Sequence, residues 1–229
     1  MPELRSLPSS GSFLGRLDAD DRSALLRLGH VRRYRQGAPI LFQGDHSDAV
    51  FMILRGRAKI THVTAEGHET VFSVLGPGDM LGDFEAIDDD GGPRTAGSVA
   101  LEAFECRVFT AAEFRNYLDA HPRATVMLLR VIINRLHAAD RRRIGSGSLD
   151  TSHRLARFLV ELIDQRGQAD ISGIDIDIPL TQEEVASLIA TSRQSVVRAL
   201  TSLRSRGLVT TARRKIIVRD LDGLRRYAD

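Results

Sequence analysis

The sequence predicts an α+β chain: a β-domain of short strands, then a long helix, then two short helices followed by a β-hairpin. Three observations carry this. Between about Tyr34 and Phe109, short apolar runs are separated by glycine turns. From Ala111 the apolar spacing changes from two to three and four. From Val185 to Arg219 there is no acidic residue, while basic ones gather. Period two marks strands and period 3.6 marks helices.

In the first region, Phe51, Ile53, Ala58, Ile60 and His62 alternate with other residues around a turn at Arg55-Gly56. Val71 to Leu75 reads as a compact strand, closed by Gly76-Pro77-Gly78. Val99, Leu101 and Ala103 are expected to face one way, with Phe104, Cys106 and Val108 resuming after a bulge. Many short strands with glycine turns and no βαβ spacing point to a sandwich or barrel. One stretch breaks the pattern. Residues 78–96, GDMLGDFEAIDDDGGPRTA, hold a run of three acids, several glycines, and an arginine followed by a threonine.

Pro122 suits the first position of a helix, and a helix is expected from there to about Ile144. Leu129, Ile132, Leu136, Ala139 and Arg143 form a seam with steps of three and four. Such a seam either packs on the β-domain or pairs with a second chain. Leu128 and Ile133 supply another apolar face for the β-domain, so pairing is favoured. Gly145-Ser146-Gly147-Ser148 is expected to end the helix as a flexible hinge. Thr151 to Arg166 reads as a further helix, with Leu155, Phe158, Leu159 and Leu162 on one side.

The C-terminal chemistry is more specific. Thr181 followed by Glu184 is a capping box. After Ala190-Thr191, Ser192 caps a second helix that opens with Arg193, Gln194 and Ser195. Two helices joined by so tight a turn make a helix-turn-helix, whose second helix enters the DNA major groove. Arginine bridges guanine O6 and N7, and glutamine bridges adenine N6 and N7. Arg193, Arg198, Arg204, Arg206, Arg213, Arg214, Lys215 and Arg219 make the segment basic in a chain of net charge +2. One-sided charge of this kind suits phosphate contact. Leu208–Thr211 and Lys215–Val218, with Arg213 at the tip, form the expected wing.

Composition excludes other classes. A single cysteine, Cys106, cannot build a disulfide framework or a four-cysteine metal site. The seven histidines are scattered without metal-ligand spacing, so no metal is expected. No nucleophile elbow or phosphate-binding Walker pattern occurs, and no enzyme is expected. No window reaches the roughly 18 apolar residues of a membrane span, and a cytoplasmic protein is expected.

Leu180-Thr181-Gln182-Glu183-Glu184-Val185-Ala186, Ser192-Arg193-Gln194-Ser195-Val196-Val197-Arg198 and the 78–96 loop together resemble the cyclic-AMP receptor and FNR family of bacterial transcription regulators. The resemblance covers nearly the whole chain. It implies an N-terminal double-stranded β-helix (jelly roll) of the cyclic-nucleotide-binding kind over 1–121. A dimerisation helix and hinge would follow over 122–148, and a winged helix-turn-helix over 149–229. The loop would be a phosphate-binding cassette, with Gly82, Asp83, Phe84, Arg94 and Thr95 as ligand residues. Arg135 and Asp140 would join them from the long helix. The ligand would be cyclic AMP or another cyclic nucleotide. Thr181, Gln182, Ser192, Arg193, Gln194, Ser195, Arg198, Arg213 and Lys215 would face a double-stranded operator bound by a homodimer, with RNA polymerase a further candidate partner.

Three positions depart from the family pattern. Asp83 stands where glutamate is usual, Ala139-Asp140 where a hydroxyl pair or Thr-Asn is usual, and Gln194 where glutamate is usual. Asp88, Asp89 and Asp90 offer Arg94 an internal partner. Two alternatives therefore stay open: constitutive DNA binding with a vestigial pocket, and a nucleotide-sensing module whose basic helices contact protein or RNA.

Overall fold

In a computed structural model, the described residues are 8–87, 92–148, 150–164, 174–176, 180–212 and 215–228, with side chains left out at 141–148, 174–176 and 215. The chain divides into two compact units, Met1–Arg135 and Leu136–Asp229.

The first unit opens with two short helices, α1 (Phe13–Arg16) and α2 (Ala19–Leu25), capped by the side chains of Ser12 and Asp18. Strands β1 (His30–Tyr34), β2 (Pro39–Leu41), β3 (Ala49–Arg55), β4 (Ala58–Val63), β5 (Glu69–Leu75) and β6 (Met80–Leu81) follow. A one-turn helix, α3 (Asp83–Ile87), precedes β7 (Gly97–Ala100) and β8 (Phe104–Thr110). The strands form two sheets, ordered β1-β8-β3-β6 and β2-β7-β4-β5. Every pairing in them is antiparallel. This is the expected two-sheet β-domain. Gly56 carries the chain from one sheet to the other. Its φ is +80°, and a Cβ there would lie 2.5 Å from the Ala103 carbonyl oxygen.

Two readings of strand faces are corrected. A register shift between Ile60 and Thr61 turns Thr61 inward, so His62 does not continue the buried face. In β7 the inward residues are Ser98 and Ala100, while Ala103 is exposed beyond the strand end. A period-two count cannot see a bulge, because one extra residue inverts every later side chain.

Helix α4 (Ala111–Ala120) starts at a complete Thr110–Glu113 capping box. Helix α5 (Pro122–Ser148) begins in this unit. Phe13, Phe114 and Leu14 are fully buried in a core that takes in α2, α4 and the α5 residues Ala124, Leu128 and Val131. The Phe13 and Phe114 rings meet edge to face at 6.3 Å.

Helix α5 corrects two expectations. Leu128 packs inward as expected, but Ile132 is the residue set against the core and Ile133 is 40% exposed. Val126, Leu129, Ile133 and Leu136 form the exposed apolar stripe, with steps of three and four. The helix also runs through the glycines to Ser148. Each glycine costs about 1 kcal/mol relative to alanine in a helix, which weakens the helix without breaking it.

The second unit holds α6 (Thr151–Asp164), β9 (Ile174–Ile176), α7 (Gln182–Leu188), α8 (Arg193–Ser205), β10 (Val209–Ala212), β11 (Lys215–Val218) and α9 (Leu221–Ala228). Arg166 lies outside the described residues. The predicted hairpin is present as β10 paired with β11, and β9 adds a third antiparallel strand. Leu155, Leu159, Val196, Leu203 and Leu224 are buried, so α6, α8 and α9 each bury an apolar face. Among the described residues, no helix is long and apolar enough to cross a membrane.

Candidate functional site

In the first unit the polar residues of the 78–96 loop gather at the end of β6. Gly82 follows the strand with φ +73°. A Cβ on it would sit 2.6 Å from Arg94 Nη1 and 2.8 Å from the Ala49 carbonyl oxygen. Only glycine lets the arginine approach so closely. The Arg94 side chain is 2% exposed. Its backbone N–H donates to the Asp45 carbonyl at 2.9 Å. Nη2 donates to the Ala49 carbonyl, and Nη1 to the Gly82 carbonyl at 3.3 Å and to Glu85 Oε2 at 3.0 Å. Nε is buried without a hydrogen-bond partner among the described residues.

Glu85 is the residue that sequence reasoning missed. Its Oε1 accepts from both the backbone N–H and the hydroxyl of Thr95, each at 3.2 Å. Burial raises its pKa, but hydrogen bonds from its own backbone and from Thr95, together with Arg94, outweigh this and hold it below the usual carboxylate range. Glu85 is therefore ionised at neutral pH. Its partners lie nine and ten residues along the chain, so no short-range pattern marks it. Only the aspartate run 88–90 was weighed as Arg94's internal partner, and that run lies outside the described residues.

Asp83, almost fully buried, forms an ion pair with Arg135 at 3.0 Å. Arg135 also lies over the half-exposed Phe84 ring, 5.8 Å from its centroid. Burial pushes the Asp83 carboxyl upward despite that guanidinium. Neighbouring Asp79, which accepts from the Gly76 N–H at 3.0 Å, is raised for the same first reason. Gly82, Asp83, Phe84, Arg94, Thr95 and Arg135 are thus brought together. Asp140 is exposed and falls in the second unit. Cys106 is buried, and burial drives its thiol up to about 12, far from a reactive thiolate. Among the described residues, no group of three or more His, Cys, Asp or Glu side chains is placed to hold a metal.

An anion fits the donors of this pocket, because Arg94 and Thr95 converge and one buried guanidinium N–H is unpaired. Glu85 and Asp83, however, already form ion pairs with Arg94 and Arg135.

In the second unit both helix caps are as expected. Thr181 accepts from the Glu184 N–H while Glu184 accepts from the Thr181 N–H. Ser192 Oγ accepts from the Ser195 N–H at 3.1 Å. Ala190 turns the chain between the helices at φ +50°, a left-handed conformation that is uncommon without glycine. Arg154 Nη1 donates to the Ala190 carbonyl at 3.1 Å and fixes that turn to α6. Gln182, Arg193, Gln194 and Arg198 are all exposed. Arg193 Nε reaches Gln182 at 3.5 Å, and Arg198 Nη2 donates to Ser195 Oγ at 3.0 Å. Among the described residues these light tethers leave most donors open. Arg204 donates to Thr211 at 3.2 Å and Arg219 to Thr210 at 3.2 Å, so both arginines are tied to the β10 strand. Arg213 lies outside the described residues. Lys215 is placed by its backbone pairing with Ala212.

Comparison with known proteins matches both units. Residues 31–121 match the cyclic nucleotide-binding domain, and residues 153–227 match the Crp-like helix-turn-helix domain. A CRP-like cAMP-activated global transcriptional regulator of Mycobacterium tuberculosis is 26% identical over 97% of this chain and 98% of its own length. The catabolite activator protein of Thermus thermophilus is 28% identical, with a TM-score of 0.52 over 95% of this chain and 98% of that one. The c-di-GMP responsive global regulator CLP of Xanthomonas campestris has a TM-score of 0.71 at 19% identity. It covers 89% of this chain and 100% of its own, and this likeness speaks to the fold alone.

Proposed function

Because this chain belongs to the CRP/FNR family of bacterial transcription regulators, we propose that it reads an operator through α8 under the control of a small effector held beside Arg94. It is a DNA-binding transcription regulator. The carrying observation is the start of α8. There a serine-capped helix exposes Arg193, Gln194 and Arg198 at the head of a segment that contains no acid. The helix N-terminus and the arginines favour phosphate, and the side chains beyond them reach base edges.

Dimerisation is typical of such regulators, and the apolar stripe Val126, Leu129, Ile133 and Leu136 has the spacing of a coiled-coil seam. A two-fold dimer would present two α8 helices to half-sites about one helical turn apart. Such a protein would act in the cytoplasm at promoters, where RNA polymerase is its natural neighbour.

The effector class that the pocket and the cAMP-activated relatives suggest is a cyclic nucleotide. Arg94 and Thr95 would hold its phosphate, and Asp83 and Arg135 would lie on the sugar and base side. An effector changes DNA affinity only through its different affinity for the two protein states. At the base pair met by Gln194 the operator would favour adenine, whereas the glutamate usual in the family accepts from cytosine.

The experiment is binding-site selection on random duplexes, repeated with and without cyclic AMP and across a salt series. Expected are a two-fold symmetric site that departs from the family's TGTGA half-site at the Gln194 position, and affinity that falls steeply with salt. Indifference to every duplex at low ionic strength would overturn the DNA reading. An operator affinity unmoved by saturating cyclic AMP would overturn cyclic AMP as the effector.

A further inference from the structure

We propose that Glu85 decides what the pocket accepts: its carboxylate occupies Arg94 and Thr95 as a built-in anion, and a phosphate-bearing ligand binds only by displacing it. This rests on the reading of the Arg94 pocket as the effector site.

The contacts of Glu85 are those a ligand anion would make. One oxygen takes Arg94 Nη1 at 3.0 Å, and the other takes both the N–H and the hydroxyl of Thr95 at 3.2 Å. Hence the two residues best suited to a phosphate are joined through a third side chain. That side chain is the anchor's partner by position as well as by chemistry. It projects from the first turn of α3, two residues after Asp83, while Arg94 is fixed from the other side by the Ala49 and Gly82 carbonyls. Arg94 cannot follow a ligand outward without giving up those bonds. Glu85 can move away, since its side chain is 15% exposed against 2% for Arg94.

Charge decides the outcome. Within the pocket Glu85 is paired with Arg94, and Asp83 with Arg135. A phosphodiester added to this set leaves one uncompensated negative charge beside two carboxylates in a largely buried site, an arrangement that is strongly disfavoured. If Glu85 swings out, the phosphodiester takes over its bonds from Arg94 and Thr95 and adds no further charge against them. The native pocket therefore discriminates against anions relative to a pocket with a small or neutral residue at position 85. Any effector that works through Arg94 has to supply enough binding free energy to break three hydrogen bonds of Glu85.

The test is calorimetric titration of the full-length protein with cyclic AMP, cyclic GMP and uncharged adenosine, using wild type, Glu85→Gln and Glu85→Ala. Glu85→Gln keeps an acceptor for Thr95 without the charge, so it covers the case in which the alanine variant loses structure. At least one cyclic nucleotide is expected to bind both variants ten-fold or more tightly than wild type, with adenosine little changed. An equal gain for adenosine would show merely an opened cavity and would overturn the assignment. So would tight wild-type binding that the substitutions leave unchanged or weaken, in which case the pocket reading stands and Glu85 alone is cleared. Absence of binding by every variant to either nucleotide would overturn the pocket reading and this inference together.

Discussion

The molecule handles arginine in two opposite ways. Arg94 in the first unit is 2% exposed, pinned by two backbone carbonyls and a carboxylate. Arg193 in the second is 64% exposed and, among the described residues, has only long contacts, with Glu183 at 4.0 Å and Gln182 at 3.5 Å. The same side chain is a structural cross-link in one place and an open donor in the other. The difference teaches where each site's free energy sits. The pocket's polar groups are already engaged with one another, so a ligand there must exchange partners. The helix face holds its donors in water, so DNA has only to displace counterions and solvent.

The contrast is sharpest when each arginine is removed. Arg94→Ala leaves the mostly buried Glu85 carboxylate and the Ala49 and Gly82 carbonyls without the Arg94 donor. Loss of one partner of a buried pair costs several kcal/mol. A fall in unfolding free energy of roughly 3 kcal/mol is expected, read by urea denaturation. A change within ±0.5 kcal/mol, the range of ordinary surface substitutions, would show that the pair is not structural. Arg193→Ala should do the reverse. It should leave the urea midpoint in place but weaken operator binding by about 1–3 kcal/mol and relax one base position. Uniform weakening across all sequences would demote Arg193 to a phosphate contact.

A smaller effect separates local folding from recognition within the second unit. Thr181 caps α7 through reciprocal bonds with Glu184. Thr181→Ala should cost about 1 kcal/mol of stability, whereas Thr181→Ser should cost much less because serine caps as well. If both weaken operator binding equally while stability holds, the threonine methyl touches DNA.

These two regions also differ in how legible they were. The Thr181–Glu184 capping box, the Ser192 cap, the tight turn and the β10–β11 hairpin could be read directly, because each is set by residues close together in the chain. Arg94, Thr95 and Asp83 were expected through resemblance to a family loop, and Arg135 through resemblance to the family's long helix. What escaped was long-range or registered by a single residue. The bulge after Ile60 and the exchange of Ile132 with Ile133 each turn on one position. Helices α1 and α2 are held by a core built mainly from later segments. Glu85 escaped because its partners lie nine and ten residues away, across a loop whose closure the sequence pattern does not specify.

The mildest change probes how far the pocket's charge is set by burial. Asp79 and Asp83 both have carboxyls raised above their ordinary value, with burial the first cause in each. A raised native pKa means that the folded state holds its proton more tightly than the unfolded chain does. The associated stability is then fully present in acid and is lost as pH rises through the native pKa. Glu85 runs the other way. Its lowered pKa contributes stability above the unfolded value, which is lost as pH falls through the native one. Asp79→Asn separates the two signs. Asparagine keeps an oxygen for the Gly76 N–H and carries no charge. The variant should be slightly more stable than wild type at neutral pH, and its advantage should shrink as the pH is lowered and Asp79 protonates. Urea midpoints measured from pH 7 down to pH 4 give the answer. An advantage that grows toward acid would mean that Asp79 is held ionised by Arg135, and that the pocket tolerates more negative charge than its burial implies.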